Sequence, residues 1–446
     1  MKILHVPFCF APDPVGGTEI YVATLAHDLL DLGLDVVVAA PGDTSRTYIL
    51  DNLNVRRFAT HKAVADISEL YGTGDELAAA EFAAILDRDR PDIVHLHAFT
   101  AAVSLRLAQA AKARGIKVVF TYHTPTVSCQ RGTLLLWGNL FCDGRLDVRR
   151  CAGCTLNGLG MDRRAAIAVG ALPPMIGRWL QRRGLQGGAW TALRMSELID
   201  LHHNMFRQMM SDVDHIVAVC DWARQLLLRN DVPGQKISVS RHGIKWKNDD
   251  ISAADAHVAE RKSDDMRVAF VGRMDPTKGL GVLIQALRIV PALNVNLDVY
   301  GVVQGASGAA YMADMRALAA DDPRVKFCGP LPSQAVIGRL REYDFLAVPS
   351  QWMETGPLVV LEAFAAGIPV IGWNLGGTSE IVRDGVDGLL ITPGPKPAEE
   401  WAEALQLVSG NVNLRDRLKA GVRPPRSSKD VAGEMLSLYG SVLARQ

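Results

Sequence analysis

Residues Glu354 to Glu362 read E-T-G-P-L-V-V-L-E, and they follow the apolar run Phe345-Leu-Ala-Val-Pro-Ser350. The apolar run is typical of a buried strand, and Pro357 suits the first position of a helix, where its missing N–H costs nothing. We therefore expect Glu354 in the loop before a helix and Glu362 inside it. A helix start can hold a diphosphate, and carboxylates accept hydrogen bonds from hydroxyls. Together these groups describe a site for a nucleotide sugar.

The same alternation of strand and helix patterns runs through most of the chain and predicts parallel sheets covered by helices. We expect two Rossmann-like, doubly wound α/β domains that face each other across a cleft. The N-terminal domain is placed at 1–244, a polar linker at 245–265, the C-terminal domain at 266–423 and a helical tail at 424–446. The predicted strands are 3–6, 36–40, 93–97, 118–122, 215–219, 268–271, 297–300, 325–327, 345–348, 370–372 and 388–391.

The bulk composition narrows the class of protein. A chain of 446 residues with 48% hydrophobic content is long enough for two or three well-packed domains. Its net charge is zero, which gives no indication of a nucleic-acid partner. The sequence contains no run of about 18 uncharged apolar residues, so no membrane-spanning helix is expected. The N-terminus enters a strand without a leader pattern, so we expect a cytoplasmic protein.

The stretch 126–208 breaks the alternation and is predicted to be an insertion in the N-terminal domain. Between Arg145 and Arg183 it holds eight arginines and two aspartates, interleaved with residues such as Met175 and Trp179. One interpretation is an irregular segment whose arginines are solvated. The other is a basic-aromatic surface that contacts anionic lipid headgroups or an anionic acceptor. The second interpretation would bring the protein to the inner face of the cell membrane as a peripheral protein.

Four cysteines cluster within 26 residues of this insertion, with the spacing C-x12-C-x8-C-x2-C: Cys129, Cys142, Cys151 and Cys154. Because the cytoplasm keeps thiols reduced, these cysteines are not expected to form a disulfide framework. Four thiolates suit a tetrahedral structural zinc ion, which would compensate for a segment with few large apolar residues. An iron–sulfur cluster and reduced, unligated thiols or a redox pair are the alternatives.

Two cations lie in Val271-Gly-Arg-Met-Asp-Pro-Thr-Lys-Gly279, directly after a predicted strand. Arg273 and Lys278 flank a glycine-bounded turn, which suits a diphosphate leaving group. The order Gly-x4-Gly-Lys-Ser/Thr of a Walker A loop is absent. A solvated basic turn is the alternative interpretation.

Two features of the first half of the chain could contribute to the same site. Gly16 and Gly17 follow the first strand and open the first helix, where a backbone can approach a phosphate closely; a plain tight turn is equally consistent. His123 ends the predicted strand 118–122 at the sheet edge where ligands bind, although a polar strand cap is the simpler explanation. The G-x-G-x-x-G fingerprint is absent, which argues against a dehydrogenase.

Residues 267–391 together resemble the donor-binding half of retaining glycosyltransferases of family 4, which have the GT-B fold. Gly16-Gly17 and His123 extend the resemblance into the first half. The matching stretches are Gly272-Arg273, Lys278-Gly279, Val348-Pro349-Ser350, Glu354-x7-Glu362, Ala365-Ala366-Gly367-Ile368-Pro369-Val370, Gly376-Gly377 and Asp384-Gly385-Val386-Asp387-Gly388.

The resemblance implies a role for each of these residues. Arg273 and Lys278 would hold the donor diphosphate, and Glu362 would bind the nucleotide ribose. Glu354 would contact hydroxyls of the transferred sugar, and His123 would touch that sugar near the reacting carbon. The catalytic set implied is thus His123, Glu354, Arg273 and Lys278; the other implied donor-binding residues are Gly16, Gly17, Leu331, Gly356, Pro357, Leu358, Val359 and Glu362.

The implied reaction is transfer with retention of configuration and with no cofactor required for catalysis. A UDP-sugar is the favoured donor and GDP-mannose the second choice; a saccharide or lipid-linked acceptor of a bacterial surface polysaccharide or glycolipid is expected. Two departures from the family pattern are Thr355-Gly356-Pro357 in place of Gly-Phe-Gly, and His242-Gly243 in place of Asn-Gly. A nucleotide-sugar epimerase of the same fold and a non-catalytic sugar- or lipid-binding scaffold are the alternative functions.

Overall fold

The computed structural model describes residues 1–13, 16–63, 66–246, 265–320 and 322–445. These residues form two compact units, one of Met1–Arg241 with Lys429–Gln446 and one of His242–Ser428. Most of the predicted linker 245–265 lies outside the described residues.

The first unit is built on an eight-stranded sheet of the order β10-β9-β6-β5-β1-β2-β4-β3. All its neighbours are parallel except the edge strand β3, which is antiparallel to β4 and was not predicted. The central strands are buried on both faces, as parallel strands between helix layers must be. The strands of this unit are β1 (Lys2–Val6), β2 (Asp35–Gly42), β3 (Arg46–Leu50), β4 (Leu53–Ala59), β5 (Ile93–Leu96), β6 (Lys117–Tyr122), the small hairpin β7 (Leu135–Leu136) and β8 (Leu140–Phe141), β9 (His215–Ala218) and β10 (Ile237–Val239).

The insertion between β6 and β9 is mainly helical, so the interpretation as an irregular segment is wrong. Five helices, α4 to α8, carry it. Helices α4, α5 and α8 share a small apolar core that includes Ala152, Leu156, Ala166 and Met195, and Ala192 of α7 packs against it. The helices of the first unit that precede its C-terminal helix are α1 (Gly17–Asp31), α2 (Glu76–Asp89), α3 (Leu105–Lys112), α4 (Val148–Gly158), α5 (Arg163–Gly170), α6 (Pro174–Arg182), α7 (Gly188–Leu193), α8 (Met195–Asp212) and α9 (Asp221–Arg229).

The second unit is built on a six-stranded, fully parallel sheet of the order β13-β12-β11-β14-β15-β16. The strand order reverses between β11 and β14, which is where doubly wound sheets bind ligands, beyond the carboxyl ends of the strands. Its elements are β11 (Met266–Arg273), α10 (Leu280–Ile289), β12 (Val295–Val302), α11 (Gly305–Ala319), β13 (Val325–Phe327), α12 (Val336–Leu340), β14 (Phe345–Val348), α13 (Leu358–Ala365), β15 (Val370–Trp373), α14 (Gly376–Ile381), β16 (Gly388–Ile391), α15 (Pro397–Ser409) and α16 (Val412–Gly421).

The last helix, α17 (Ser428–Ala444), is an integral part of the first unit. Residues 424–446 are predicted to be a helical tail, and the structure places this helix in the first unit: Val431, Met435, Tyr439 and Val442 are buried in the same core as Ile3 of β1. Within the described residues, no helix has both the length and the apolar content that a bilayer crossing requires.

Candidate functional site

Three loops of the second unit meet at its sheet reversal, after β11, β14 and β15. The first meets the second at Gly279, whose φ is +76° and where a Cβ would lie 1.9 Å from the carbonyl oxygen of Pro349. The third loop leads into α14, and the second loop meets the start of that helix at Gly377, whose N–H donates to the carbonyl oxygen of Glu354 at 2.6 Å. Because only glycine tolerates this approach at Gly279, the sequence specifies where these loops touch.

Lys278 and Glu354 form the centre of this site. The Lys278 Nζ lies 2.6 Å from Oε1 of Glu354, and the two side chains are 19% and 9% exposed. Ser350 donates its hydroxyl to the same carboxylate oxygen at 2.7 Å, and the Lys278 Nζ lies 5.4 Å from the ring centroid of Trp352. The structure thus brings two predicted site residues into direct contact and adds Ser350 and Trp352, to which the sequence analysis assigned no role.

The carboxylate of Glu354 is held in its charged form. Burial acts to raise its pKa, but the charge of Lys278 and hydrogen bonds from Lys278, Ser350 and Trp352 outweigh burial, so the pKa lies below its usual value. An ionised, oriented carboxylate is an acceptor for hydroxyl groups.

His242 supports the turn that carries Glu354. Its Nδ1 donates to the carbonyl oxygen of Gly356 at 3.0 Å, and a Cβ on Gly356 would come within 2.9 Å of that nitrogen. Burial lowers the pKa of His242 to about 4, so the ring is neutral near pH 7. From the sequence His242 is only a departure from the family pattern, and this support of the turn was not predicted.

Glu362 lies in helix α13, one turn from its start, as predicted. The helix begins at Leu358, so Pro357 is the residue before the first turn and not its first residue, a correction of one position. No side chain caps this helix, and its start follows the Glu354 turn directly. Burial raises the pKa of Glu362 to about 7, so the charge of this carboxyl changes near neutral pH.

The raised pKa of Glu362 predicts a pH-dependent stability. Between the ordinary value of 4.5 and about 7, the folded state keeps a proton that the unfolded state has lost, so the free energy of unfolding falls as pH rises by about 3 kcal/mol in total. Glu362→Gln should remove this slope, as measured by urea unfolding at pH 5 and pH 8. An identical change with pH in both proteins would contradict the assignment.

Arg273 is the last residue of β11 and lies at the same edge of the sheet as the Lys278–Glu354 pair. Its side chain is partly buried. Among the residues that the structure describes, no ion pair neutralises this guanidinium. Leu331 is partly buried against the apolar cluster under β14 and α13.

The remaining predicted residues belong to the first unit. Gly16 precedes α1 and Gly17 is its first residue. The N–H of Gly16 donates to the carboxylate of Glu19 at 2.8 Å, so this donor is already occupied within the helix start.

His123 directly follows β6 and is 4% exposed. It belongs to a chain of buried histidines at the carboxyl ends of neighbouring strands, because its Nε2 lies 3.0 Å from Nδ1 of His97, and Nε2 of His97 lies 2.9 Å from Nδ1 of His5. No role was predicted for His5 and His97; their shared position at strand ends was the signal available in the sequence.

The four clustered cysteines line one pocket of the insertion together with His202 and His203. Burial raises the pKa of the Cys151 thiol to about 12. Both ring nitrogens of His202 and Nδ1 of His203 are buried without a hydrogen-bond partner among the described residues. In the part of the chain that the structure describes, no three donor atoms of this pocket lie within 4.8 Å of one another. Three donor atoms that close are found instead at His5, His95 and His97.

Comparison with known proteins identifies the class. The whole chain resembles sucrose-phosphate synthase from Thermosynechococcus elongatus, with a TM-score of 0.66, 17% identity and full coverage of both chains. It also resembles Anabaena HepE in complex with UDP and glucose, with a TM-score of 0.61, 15% identity and coverage of 99% and 100%. These likenesses establish the GT-B fold, which confirms the predicted fold class.

Family profiles cover both halves of the sequence. Residues 16–243 match the glycosyl transferase 4-like domain and residues 253–423 match glycosyl transferases group 1. The chain therefore belongs to the glycosyl transferase 4-like family. It is 34% identical over 224 residues to the D-inositol 3-phosphate glycosyltransferase of Nocardia farcinica, a match that covers 48% of each chain. The chain thus spans about half the length of this curated relative.

Proposed function

We propose that this protein is a glycosyltransferase that moves a sugar from a nucleotide-diphosphate sugar to an acceptor hydroxyl with retention of configuration. The observation that carries the proposal is the contact of 2.6 Å between Lys278 and Glu354 at the sheet reversal. A cation for a diphosphate and a carboxylate for hydroxyls lie side by side, as the diphosphate and the sugar do in such a donor. A UDP-sugar is the favoured donor, supported by the UDP and glucose bound to HepE; GDP-mannose is the second choice.

The chemistry needs stabilisation of charge on the departing diphosphate. Arg273 and Lys278 supply two positive charges, and the uncapped start of α13 adds N–H donors. Glu354 orients the sugar through its hydroxyls, and Glu362 accepts hydrogen bonds from the ribose. The acceptor hydroxyl attacks from the face that the diphosphate leaves, and an oxygen of the leaving diphosphate takes its proton.

Turnover of donors tests the function against its alternatives. Nucleotide sugars that bind are first selected by thermal shift, since a ligand stabilises the state it binds. Release of nucleotide diphosphate that depends on a saccharide or lipid-linked acceptor supports a transferase. An epimerase would convert the sugar of the donor without any acceptor, and a scaffold would bind donor or acceptor without turnover; either result overturns the proposal.

We further propose that α6 contacts a membrane surface that carries anionic lipid. Its side chains Met175 and Trp179 are 66% and 51% exposed, and Arg183 stacks on the Trp179 ring at 4.5 Å. From residue 163 to residue 196 the chain has six arginines and no acidic residue. Arg178 and Arg194 of this stretch pair with Asp200 and Glu197, whereas Arg182 and Arg183 form no ion pair among the described residues. Exposed apolar side chains beside these two arginines fit a negatively charged bilayer, where a lipid-linked acceptor would lie.

Vesicle binding tests this surface. The protein should sediment with vesicles of phosphatidylglycerol and phosphatidylcholine, less so at high salt, and Met175→Ser with Trp179→Ser should weaken binding by about tenfold or more because apolar area is lost. Leu407→Ser, at an exposed leucine of α15 in the second unit, is the matched control. The proposal is contradicted if the protein binds vesicles of phosphatidylcholine alone as well as it binds the mixed vesicles. It is also contradicted if Leu407→Ser weakens binding as much as the double substitution does.

We propose a structural zinc ion for the cysteine pocket, supported by four thiols and two buried imidazoles that line it. Sulfur ligands of zinc lie about 2.3 Å from the metal, so the side chains would have to turn inward from their present spacing. Metal analysis of the purified protein should find about one zinc per chain, and Cys151→Ser should lose it and unfold at a lower temperature. Metal at background level, or iron in place of zinc, ends the proposal.

A further inference from the structure

The first and last residues of the second unit lie side by side. We call residues 242–246 the entry segment and residues 424–428 the exit segment. Ile244 exchanges backbone hydrogen bonds of 3.0 and 3.2 Å with the exit segment. The indole N–H of Trp246 donates to a backbone carbonyl oxygen of the exit segment at 3.0 Å. These bonds fix the backbone of the entry segment within the second unit.

The entry segment supports the candidate donor site at two points. Ile244 is 8% exposed and belongs to one apolar cluster with two buried side chains of α13, the helix that carries Glu362. Two residues earlier, Nδ1 of His242 lies 3.0 Å from the carbonyl oxygen of Gly356, in the turn that follows Glu354. The turn and the helix, and with them both carboxylates, therefore rest on the same short stretch of backbone.

The chemistry of its partner settles the direction of the His242 hydrogen bond. A carbonyl oxygen can only accept, so Nδ1 of His242 carries a hydrogen and donates it. Burial lowers the pKa of this imidazole to about 4. The ring is therefore neutral near pH 7, with its one hydrogen on Nδ1, and it holds the turn as a donor without a positive charge.

Gly356 and the imidazole of His242 are also matched in shape. A Cβ on Gly356 would lie 2.9 Å from Nδ1 and 3.5 Å from Cε1, the first of which is closer than a Cβ normally comes to any atom. The ring thus occupies the space that a side chain at position 356 would need. Both positions depart from the family pattern, which has phenylalanine and asparagine there, and the two departures meet in this one contact.

The bond constrains a turn that has little else to hold its shape. Glycine restricts the backbone less than any other residue, and the following Pro357 has no N–H with which to form a bond of its own. We infer that His242 is a positioning residue that holds the Glu354 turn in the shape in which the carboxylate meets the sugar. This inference rests on the proposed function only in taking a sugar hydroxyl as the ligand of Glu354.

Deuterium exchange of the full chain tests the positioning without any ligand. Peptides from residues 350–362 should exchange faster in His242→Leu than in the wild type, because leucine has no donor and the turn opens more often. His242→Asn should exchange as the wild type does, since its amide nitrogen is as many bonds from the backbone as Nδ1. His215→Leu is the matched control, because His215 is a buried histidine of the first unit, bonded to Ser238 at 2.9 Å.

Kinetics separate positioning of the turn from a general loss of structure. With the nucleotide sugar selected by thermal shift, His242→Leu should lower kcat by about tenfold or more, the scale of a small misplacement at a reacting centre. Binding of UDP or GDP, whichever the wild type binds, should change far less, because the free nucleotide has no sugar for Glu354 to contact. His242→Asn should restore most of the lost kcat.

A double substitution tests the contact itself. Gly356→Ala places a methyl group against the ring and should have the effect of His242→Leu on exchange and on kcat. The two substitutions together should lower kcat no further than either alone, because both remove the same contact. Losses that multiply would mean that the two residues act independently, which contradicts the inference.

Three further results would overturn the inference even if the protein is an active transferase. The first is exchange and kcat in His242→Leu equal to those of the wild type. The second is an equal loss in His242→Leu and His242→Asn, and the third is the same faster exchange of residues 350–362 in His215→Leu. Conversely, the expected order of exchange in a protein that turns over no nucleotide sugar supports the positioning of the turn and refutes the proposed function.

Discussion

Arg273→Ala is expected to lower turnover by about 10²-fold or more, the loss typical of removing one group that stabilises developing charge. Arg273 ends β11 at the sheet reversal, and no described acidic side chain pairs with it. Its positive charge is therefore available for a diphosphate whose negative charge grows as the sugar leaves. The loss should fall mainly on kcat, because an interaction that strengthens in the transition state contributes little to ground-state binding.

The measurement is initial-rate kinetics with the donor identified by thermal shift. Arg288→Ala is the matched control, since Arg288 is an exposed arginine of α10 in the same unit, and it should leave the rate unchanged. Arg273→Lys tests geometry, because a lysine keeps the charge but loses the planar pair of donors. Turnover of Arg273→Ala within a few-fold of wild type would show that the diphosphate is stabilised elsewhere.

The parallel sheets were predictable because their strands are buried on both faces. Strands β13, β14 and β16 have the predicted bounds 325–327, 345–348 and 388–391, and each is a short run of mainly apolar residues. The edge strand β3 was not predicted. Its residues Arg46, Thr47 and Tyr48 show no alternation of buried and exposed positions, and they do not form an apolar run. Edge strands lack the burial that produces the sequence signal.

The helical insertion was misjudged for a related reason. Helix α5 is R-R-A-A-I-A-V-G, and only Ala166 and Gly170 among its residues are buried. Small residues bury little area, so their spacing gives a weak helical pattern even where helices pack closely. The pattern of large apolar residues, on which the sequence analysis relied, is absent from such a helix.

The residues of the candidate site could be named from the sequence, but the contacts between them could not. The sequence places Lys278 after one strand and Glu354 after another, 76 residues apart, and only the adjacency of β11 and β14 brings them together. The same holds for His5, near the end of β1, and for His97 and His123, which directly follow the neighbouring strands β5 and β6. Long-range pairing of strands is the information that a local pattern does not contain.

The Lys278–Glu354 pair predicts the largest change in stability. Lys278→Met leaves a buried carboxylate without its counter-charge, and breaking such a pair costs roughly 3–5 kcal/mol of unfolding free energy. Lys278→Met combined with Glu354→Gln removes the charge as well and should recover most of that loss in urea unfolding. Lys326→Met, at an exposed lysine of β13, is the control and should change stability little. Transferase activity should be lost in both Lys278→Met and the double variant, because both lack the cation for the diphosphate.

The pH dependence separates an unpaired charge from a simple packing defect. In the wild type the pKa of Glu354 is lowered, so its contribution to stability is present above the ordinary value of 4.5 and is lost as pH falls through the folded pKa. Without Lys278 the dominant influence is burial, which raises the pKa, so the folded state favours the proton and the cost grows as pH rises above the ordinary value. Lys278→Met should therefore regain stability relative to the wild type as pH is lowered from 7 toward 5, and the double variant should not. A deficit that stays constant with pH would mean that the lysine acts through packing of its side chain and not through its charge.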